Sequence, residues 1–564
     1  MGHFYDEIPD DPKLVEWILN QKLFHVASAP LNGGHVNVSP KGYQTFKLVN
    51  RKACWYLDLL GSGNETISHL YEHGNGRITI LFQAFDGPAR LVRIYGKGKV
   101  FERGSPEYEK LLVSSNQPSP DDEYDWPTPE ARPGARSIIW IDITKVGTSC
   151  GFSVPLMEFV AERDILDKWN TKLEEGDAKA EDPYTLDPDH GFLSWLHTMN
   201  TWSIDGLPGL KNIRPASYET INNVMSQFGL TLSKKSKNRI ISLHSLQMIL
   251  LGVGIGVLSS YLTRENSQGL ATVLYVSFRP IVSGRKSSCH LNRATMINIA
   301  VLPLYDMGHY YDEIPNNPKL IEWIKDQKLF HVASSPLKGG HVNVSPKGQQ
   351  TFKLVNHKAC WYLDLTGSGN ETISHLYEPG NGRLVIMFEA FQGPPRILRF
   401  WGQGKVFERG SPEFERLMNE GDSEFGFPTP EMLPGARAII WLDITRVGTS
   451  CGYAVPFMKF EAHRDTLNNN MAKREQNDDT TADPFLLPAA RGLHSYWAAK
   501  NSWSLDGLPG VQSIAQMVRD DRVDEALTES GLTRESIFGG IHRKGADLPA
   551  GMTVGIAIGC HKPS

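Results

Sequence analysis

The sequence predicts a mainly β, α+β protein. It is built as two tandem copies of one small β-barrel domain, each followed by a helical or irregular C-terminal extension. Two observations carry this. Met307-Gly308-His309 repeats Met1-Gly2-His3, after which His25 returns as His331, His35 as His341 and Trp55 as Trp361, each 306 positions on. A period as long as a domain marks a duplication and not a solenoid. Within each copy, many short aromatic and β-branched runs alternate with turn signals and few helical stretches, as in a small barrel. The boundaries drawn are a barrel over 1–160, a Trp-bearing extension over 161–232, a connector over 233–306, the second barrel over 307–461 and its extension over 462–564.

Taken in order, Pro12 to Gln21 reads as a helix, with Leu14, Trp17 and Ile18 at helical spacing after a Pro-Asp-Asp-Pro turn. Leu23 to Ala29 reads as a strand, Asn32-Gly33-Gly34 as a tight turn and His35 to Ser39 as the returning strand. That pairing places His25 and His35 opposite each other, as a core or surface pair or as a metal or proton-transfer pair. Ala53 to Leu59 is the third strand, and Gly61-Ser62-Gly63-Asn64-Glu65-Thr66 runs into a short helix. Arg77 to Phe85, Arg90 to Val100 and Ser137 to Thr144 complete the strands, with a helix entering at Ser105-Pro106-Glu107. Cys54 and Trp140 read as packing. The acidic stretch from Asp164 to Asp189, diverged between copies, reads as a surface loop. Beyond it, Trp195 and Trp202 lead to Asp205-Gly206-Leu207-Pro208-Gly209, repeated as Asp506-Gly507-Leu508-Pro509-Gly510.

Composition narrows the function classes. A net charge of −5 gives no basic footprint for nucleic acid, so no nucleic-acid partner is expected. Six cysteines without CxxC or Cys/His spacing argue against a structural metal and fit a reduced, cytoplasmic chain. The N-terminus lacks the charged and apolar regions of a secretory signal. The connector holds a Lys/Arg cluster at 234–239, followed by an apolar run over 243–262 with a Gly252/Gly256 pair. About twenty residues would span roughly 30 Å of bilayer, with the first copy facing the cytosol. Ser242, His244, Gln247 and Ser259 dilute the run, and a buried soluble helix is the alternative. Because Met307 restarts the pattern, the chain reads either as a natural fusion or as two adjacent genes read as one.

Leu23-Phe24-His25-Val26-Ala27-Ser28, His35 to Gly42, Trp55-Tyr56-Leu57-Asp58, Gly61 to Thr66 and the closing Arg90 to Val100 strand have counterparts in the same order in both copies. On these motifs each copy resembles the pyridoxamine 5'-phosphate oxidase-like family, and within it the uncharacterised fungal subgroup. The resemblance covers about 8–150 and 314–451. It implies a split β-barrel that dimerises and binds FMN between subunits, with the two copies pairing within the chain or as a homodimer. It further implies an oxidoreductase acting on an unknown small organic substrate, or a non-catalytic flavin-sensing or interaction module.

The cofactor-binding candidates are Ser39, Lys41, Ser62, Gly63, Asn64 and Thr66 in copy one, and Ser345, Lys347, Ser368, Gly369, Asn370 and Thr372 in copy two. Backbone N–H groups and small hydroxyls at a helix entry suit a phosphate, although Asn64 also reads as a plain N-cap. Lys41 and Lys347 could neutralise a phosphate, Ser39 and Ser345 could bond a flavin edge, and Arg77/Arg383 and Arg90/Arg396 are further anionic anchors or surface charges. Two departures from the family stand out: Glu65 sits where a basic residue would serve a phosphate, and the Arg/His-rich C-terminal motif is missing. Oxidation of pyridoxamine phosphate is therefore not expected. No catalytic acid or base is identifiable.

Overall fold

The computed structural model describes residues 2–113, 128–213 and 309–514, so the apolar run at 243–262 and the surrounding connector lie outside the described residues. No helix among the described residues is long and apolar enough to cross a membrane.

Copy one begins with β1 (His3–Tyr5), α1 (Pro12–Leu19), β2 (Phe24–Ser28), β3 (Asn37–Lys41), β4 (Phe46–Asn50) and β5 (Ala53–Leu59). It continues through α2 (Glu65–Tyr71), β6 (Arg77–Gln83), β7 (Leu91–Glu102), α3 (Pro106–Val113), β8 (Ala135–Ser149), β9 (Leu156–Ala161), α4 (Ile165–Lys179) and α5 (Phe192–Met199). The antiparallel sheet runs β3-β2-β6-β7-β8-β5-β4, and β1 pairs with the C-terminal end of β8 beyond the end of β5. Copy two repeats this with β10 (Tyr310–Tyr311), α6 (Pro318–Lys325), β11 (Phe330–Ser334), β12 (Asn343–Lys347), β13 (Phe352–Asn356), β14 (Ala359–Leu365) and α7 (Glu371–Tyr377). There follow β15 (Arg383–Glu389), β16 (Ile397–Glu408), α8 (Pro412–Met418), β17 (Ala436–Ser450), β18 (Phe457–Ala462), α9 (Thr466–Asp479) and α10 (Leu493–Lys500). Both copies are split β-barrels, and the α+β class holds.

Strand β2 is buried at every position, and the reason is its two-residue period. Phe24 and Val26 point into the barrel with Tyr56, Ile80 and Ile94. Ala27 points the other way, into a second apolar cluster shared with Ala333, Val342 and Val385 of copy two. The continuous apolar run therefore has two partners, its own barrel and the other copy. The copies also share an antiparallel β9–β18 pair. Arginines fix the junction with pseudo-two-fold regularity: Arg163 donates to the carbonyls of Val455, Gly393 and Ala390, and Arg464 to those of Val154, Gly87 and Ala84.

Three expectations need correction, and one strand carried none. The β2–β3 register sets His25 opposite Pro40, not His35; Gly33 and Gly34 both adopt positive φ and lengthen the loop, so the return strand starts at Asn37. The acidic stretch after Asp164 is helix α4, which buries Leu166, Asn170 and Leu173 along one face. Strand β4 went unpredicted. Arg77 and Arg383 are neither anion anchors nor surface charges: Arg77 is 3% exposed and donates to the carbonyls of Pro30, Pro336 and Gly339. Truncating one member of such a desolvated, charge-assisted set costs about 2–5 kcal/mol. Arg77→Ala is thus expected to lower the urea midpoint and to loosen the junction before the barrels; an unchanged midpoint would show the contacts to be dispensable.

Candidate functional site

Two clefts open along the copy–copy junction, and each takes residues from both barrels. The first is lined by Ser39, Lys41, Ser62, Gly63, Asn64, Thr66 and Arg136 of copy one, and by Tyr310, Arg399, Trp401 and Cys451 of copy two. The second inverts the roles, with Ser345, Lys347, Ser368, Gly369, Asn370, Thr372 and Arg437 facing Phe4, Arg93, Tyr95 and Cys150. All twelve sequence-predicted positions line the clefts. Arg90 and Arg396 do not; their guanidinium groups lie over Trp17 and Trp323.

The floor of the first cleft is an ionic cluster. Asp58, on β5, accepts from Lys41 Nζ at 2.6 Å and from Arg136 Nε at 2.8 Å. Burial alone would raise the Asp58 pKa, but Arg136 and Lys41 hold it below the ordinary carboxylate value. Asp364, with Lys347 and Arg437, repeats the arrangement. Lys41 is thereby anchored, and Arg136 extends from Asp58 to the Gly63 carbonyl at 2.9 Å and to Asn200 Oδ1 at 2.8 Å.

From the other copy comes Arg399. Its Nε donates to the Val38 carbonyl at 2.8 Å, and its two terminal nitrogens to Ser39 Oγ at 3.2 Å and Ser450 Oγ at 3.1 Å. These acceptors are neutral, so they orient the guanidinium without cancelling its charge. Arg93 does the same with Val344, Ser345 and Ser149. Ser39 and Ser345 therefore position an arginine of the opposite copy. Each cleft holds three cationic groups against two carboxylates (Asp58 and Glu65 in the first) and keeps a surplus of positive charge.

At the entry to α2, Asn64 occupies the N-cap position but makes no side-chain cap bond. Its amide instead donates to the Asn200 carbonyl at 2.5 Å, and its Oδ1 is buried without a partner. Gly209 allows this approach, since a Cβ there would meet Asn64 Nδ2 at 1.5 Å. The Asp-Gly-Leu-Pro-Gly motif is thus a docking segment: Asp205 also accepts from His35 Nδ1 at 2.6 Å and holds the extension against the barrel. Gly42 plays the matching part between copies, where a Cβ would strike the Ala454 carbonyl at 2.1 Å.

Asp58, Asn37, Arg136, Arg399 and Trp401 were missed by sequence reasoning. Asn37 donates to Thr66 Oγ1 and to Ser39 Oγ, both at 3.2 Å, and the His35-to-Gly42 string that carried the resemblance does contain it. Arg399 lies in the copy-two equivalent of the Arg90 to Val100 strand, which also carried the resemblance, but nothing in that strand ties it to cleft partners about 360 residues away. Cys54, 0% exposed, packs as expected, and Trp140 is half-buried with its indole N–H on Asp142. The four described cysteines are free.

Two split barrels that share clefts at their junction define a tandem split-barrel protein. Over 215 residues the chain is 38% identical to the pyridoxamine 5'-phosphate oxidase family protein ustO of Aspergillus flavus, an alignment covering 37% of this chain and 79% of that protein. The chain belongs to the pyridoxamine 5'-phosphate oxidase family. No family model matches it. Among solved structures it is similar to a putative pyridoxamine 5'-phosphate oxidase from Lactobacillus delbrueckii, with 14% identity over 25% of this chain and 94% of that one and a TM-score of 0.17. It is also similar to the FAD binding protein from Mycobacterium smegmatis, at 10% identity over 26% and 96% of the two chains and a TM-score of 0.17.

Proposed function

We propose that each junction cleft binds FMN and that the chain is a flavin-dependent oxidoreductase for a small organic substrate. The observation that carries this reading is the surplus cation of each cleft, Arg399 or Arg93, fixed by neutral acceptors and supplied by the opposite copy. A phosphate monoester dianion is the complement of such a group. The unpartnered, buried Asn64 Oδ1 and Asn370 Oδ1 add an acceptor that a donor on a bound ligand would satisfy. A bound flavin would supply the redox chemistry itself; the chain's residues bind and orient it. Lys41 and Asp58 are tied to each other, and neither is assigned a role as general acid or base.

Because each cleft needs both barrels, a single copy forms a complete site only by pairing with another. In the full chain, Ser62→Asp sets a carboxylate at the first cleft and is expected to reduce flavin retention at least tenfold there by repulsion. The measurement is flavin released on denaturation per chain, and unchanged occupancy would move the phosphate away from Ser62. Bleaching of the flavin band by NAD(P)H distinguishes a reductase from a flavin-sensing module.

A further inference from the structure

A third cavity adjoins the second cleft at the second barrel. It measures about 580 Å3, within the range of small-molecule sites. Its floor is aromatic, built from Phe330, Phe352, Phe388 and Phe427. Its other wall carries the cations Lys325 and Lys328 and the carboxylate of Glu431, with His463 beside them, its pKa lowered by burial and by Lys328. Neither lysine has an ion-pair partner among the described residues; Lys325 Nζ instead lies 5.8 Å from the centre of the Phe427 ring. Both nitrogens of His463 are shielded from solvent and lack hydrogen-bond partners. Shielded polar atoms without partners are rare in native structures, and a ligand or ordered water is the usual explanation.

Copy one carries Leu19, Tyr43, Arg132 and Glu162 at the positions of Lys325, Gln349, Leu433 and His463. There the Tyr43 hydroxyl donates to the carbonyls of Arg163 and Tyr453, Arg132 pairs with Asp167, and burial pushes Glu162 up to about 7. In copy two, Gln349 takes the corresponding bond to the Arg464 carbonyl without bringing a ring. A histidine stands in place of the acid and a lysine in place of Leu19, while Leu433 replaces Arg132, so copy two moves its positive charge from Arg132 to Lys325 and loses the carboxyl group.

We propose that this cavity binds an aromatic carboxylate, with its rings on the phenylalanine floor and its carboxylate accepting from Lys328 and His463. Aromatic floor and ligand ring share apolar burial and edge-to-face contact, while a carboxylate accepts charge-assisted bonds that a neutral group does not. The cavity shares Gly348 and Thr351 with the second cleft, so the ligand would abut that site across one turn. The inference does not depend on what the clefts bind.

Isothermal titration of the full chain with 2-naphthoate, and with naphthalene-2-methanol as its uncharged counterpart, tests this. One naphthoate per chain is expected, with a Kd of about 100 μM or tighter and at least tenfold preference over the alcohol. Lys328→Gln with His463→Gln should erase that preference and leave flavin content unchanged. Lys325→Gln, on the exposed rim, should reduce it in the same direction and remains readable if the double variant fails to fold. Running the titrations on flavin-loaded and flavin-stripped chains separates this result from the fate of the flavin reading. Absence of binding at millimolar naphthoate, or equal binding of acid and alcohol, would overturn the proposal.

Discussion

Replacing Arg399 with Glu is expected to empty one flavin site of the chain and leave the other filled. Arg399 reaches the first cleft from the second barrel, and its charge is opposed by no hydrogen-bonded carboxylate. Losing a fixed, desolvated cation costs about 2–5 kcal/mol, and reversing its sign costs more. Flavin affinity at that cleft should drop by at least a hundredfold, and flavin per chain by half. The second cleft, organised around Arg93, serves as the folding control within the same molecule. Arg93→Glu should give the mirror result, and the two changes together a colourless chain. Lysine at position 399 keeps the charge but not the planar fork that spans Val38, Ser39 and Ser450, and should fall between the two. Full loss of flavin from Arg399→Glu alone would mean that the clefts do not act separately.

The second large effect concerns the junction. His25 and His331 stack with ring centroids 3.7 Å apart. Each reaches across to the other copy, His25 Nε2 to Glu389 Oε1 at 2.8 Å and His331 Nε2 to Gln83 Oε1 at 3.1 Å. Glu389 and Gln83 are equivalent positions, so the duplicates differ by one buried charge. Burial pushes Glu389 up to about 7, moderated by His331 and Arg399. Burial also pushes His25 down to about 3 and His331 well below its ordinary value.

The signs oppose each other. A raised carboxyl pKa favours the fold fully below the unfolded value near 4.5, and that contribution is lost as pH rises towards 7. Depressed histidines favour the fold above 6.5, and their contribution is lost as pH falls below it. Glu389→Gln removes the first loss and keeps an acceptor for His25, as Gln83 already does for His331. Stability should rise on the order of 3 kcal/mol at pH 8, with a much smaller gain at pH 5, read as the difference in Tm between the proteins at each pH. A variant less stable than the parent at pH 8 would show that the ionised Glu389 is net favourable beside its histidine.

Much of the barrel was legible because duplication doubles every signal. Ala53 to Leu59 was delimited to the residue, and all twelve candidate positions reached a cleft. The gaps have physical causes. Strand β4 is a five-residue segment carrying Lys47 and Asn50, and it shows no clean alternation. Helix α4 hides its apolar stripe among acidic residues on its solvent face, so divergence was read as looseness. The two faces of β2 could not be told apart from one buried run. Most of all, half of each cleft comes from the opposite barrel. Arg399 and Trp401 sit in an ordinary strand, and only packing of one copy on the other brings them to Ser39 and Val36. Spacing along a chain carries no information about that.

The central claim is that one chain builds two flavin sites at its internal junction. The direct measurement is absorbance of the purified full chain together with the flavin released on denaturation, identified and counted per chain after saturation with FMN. The account predicts a yellow protein that releases FMN and approaches two equivalents, one for each cleft. A folded chain that stays colourless and takes up no FMN would contradict it.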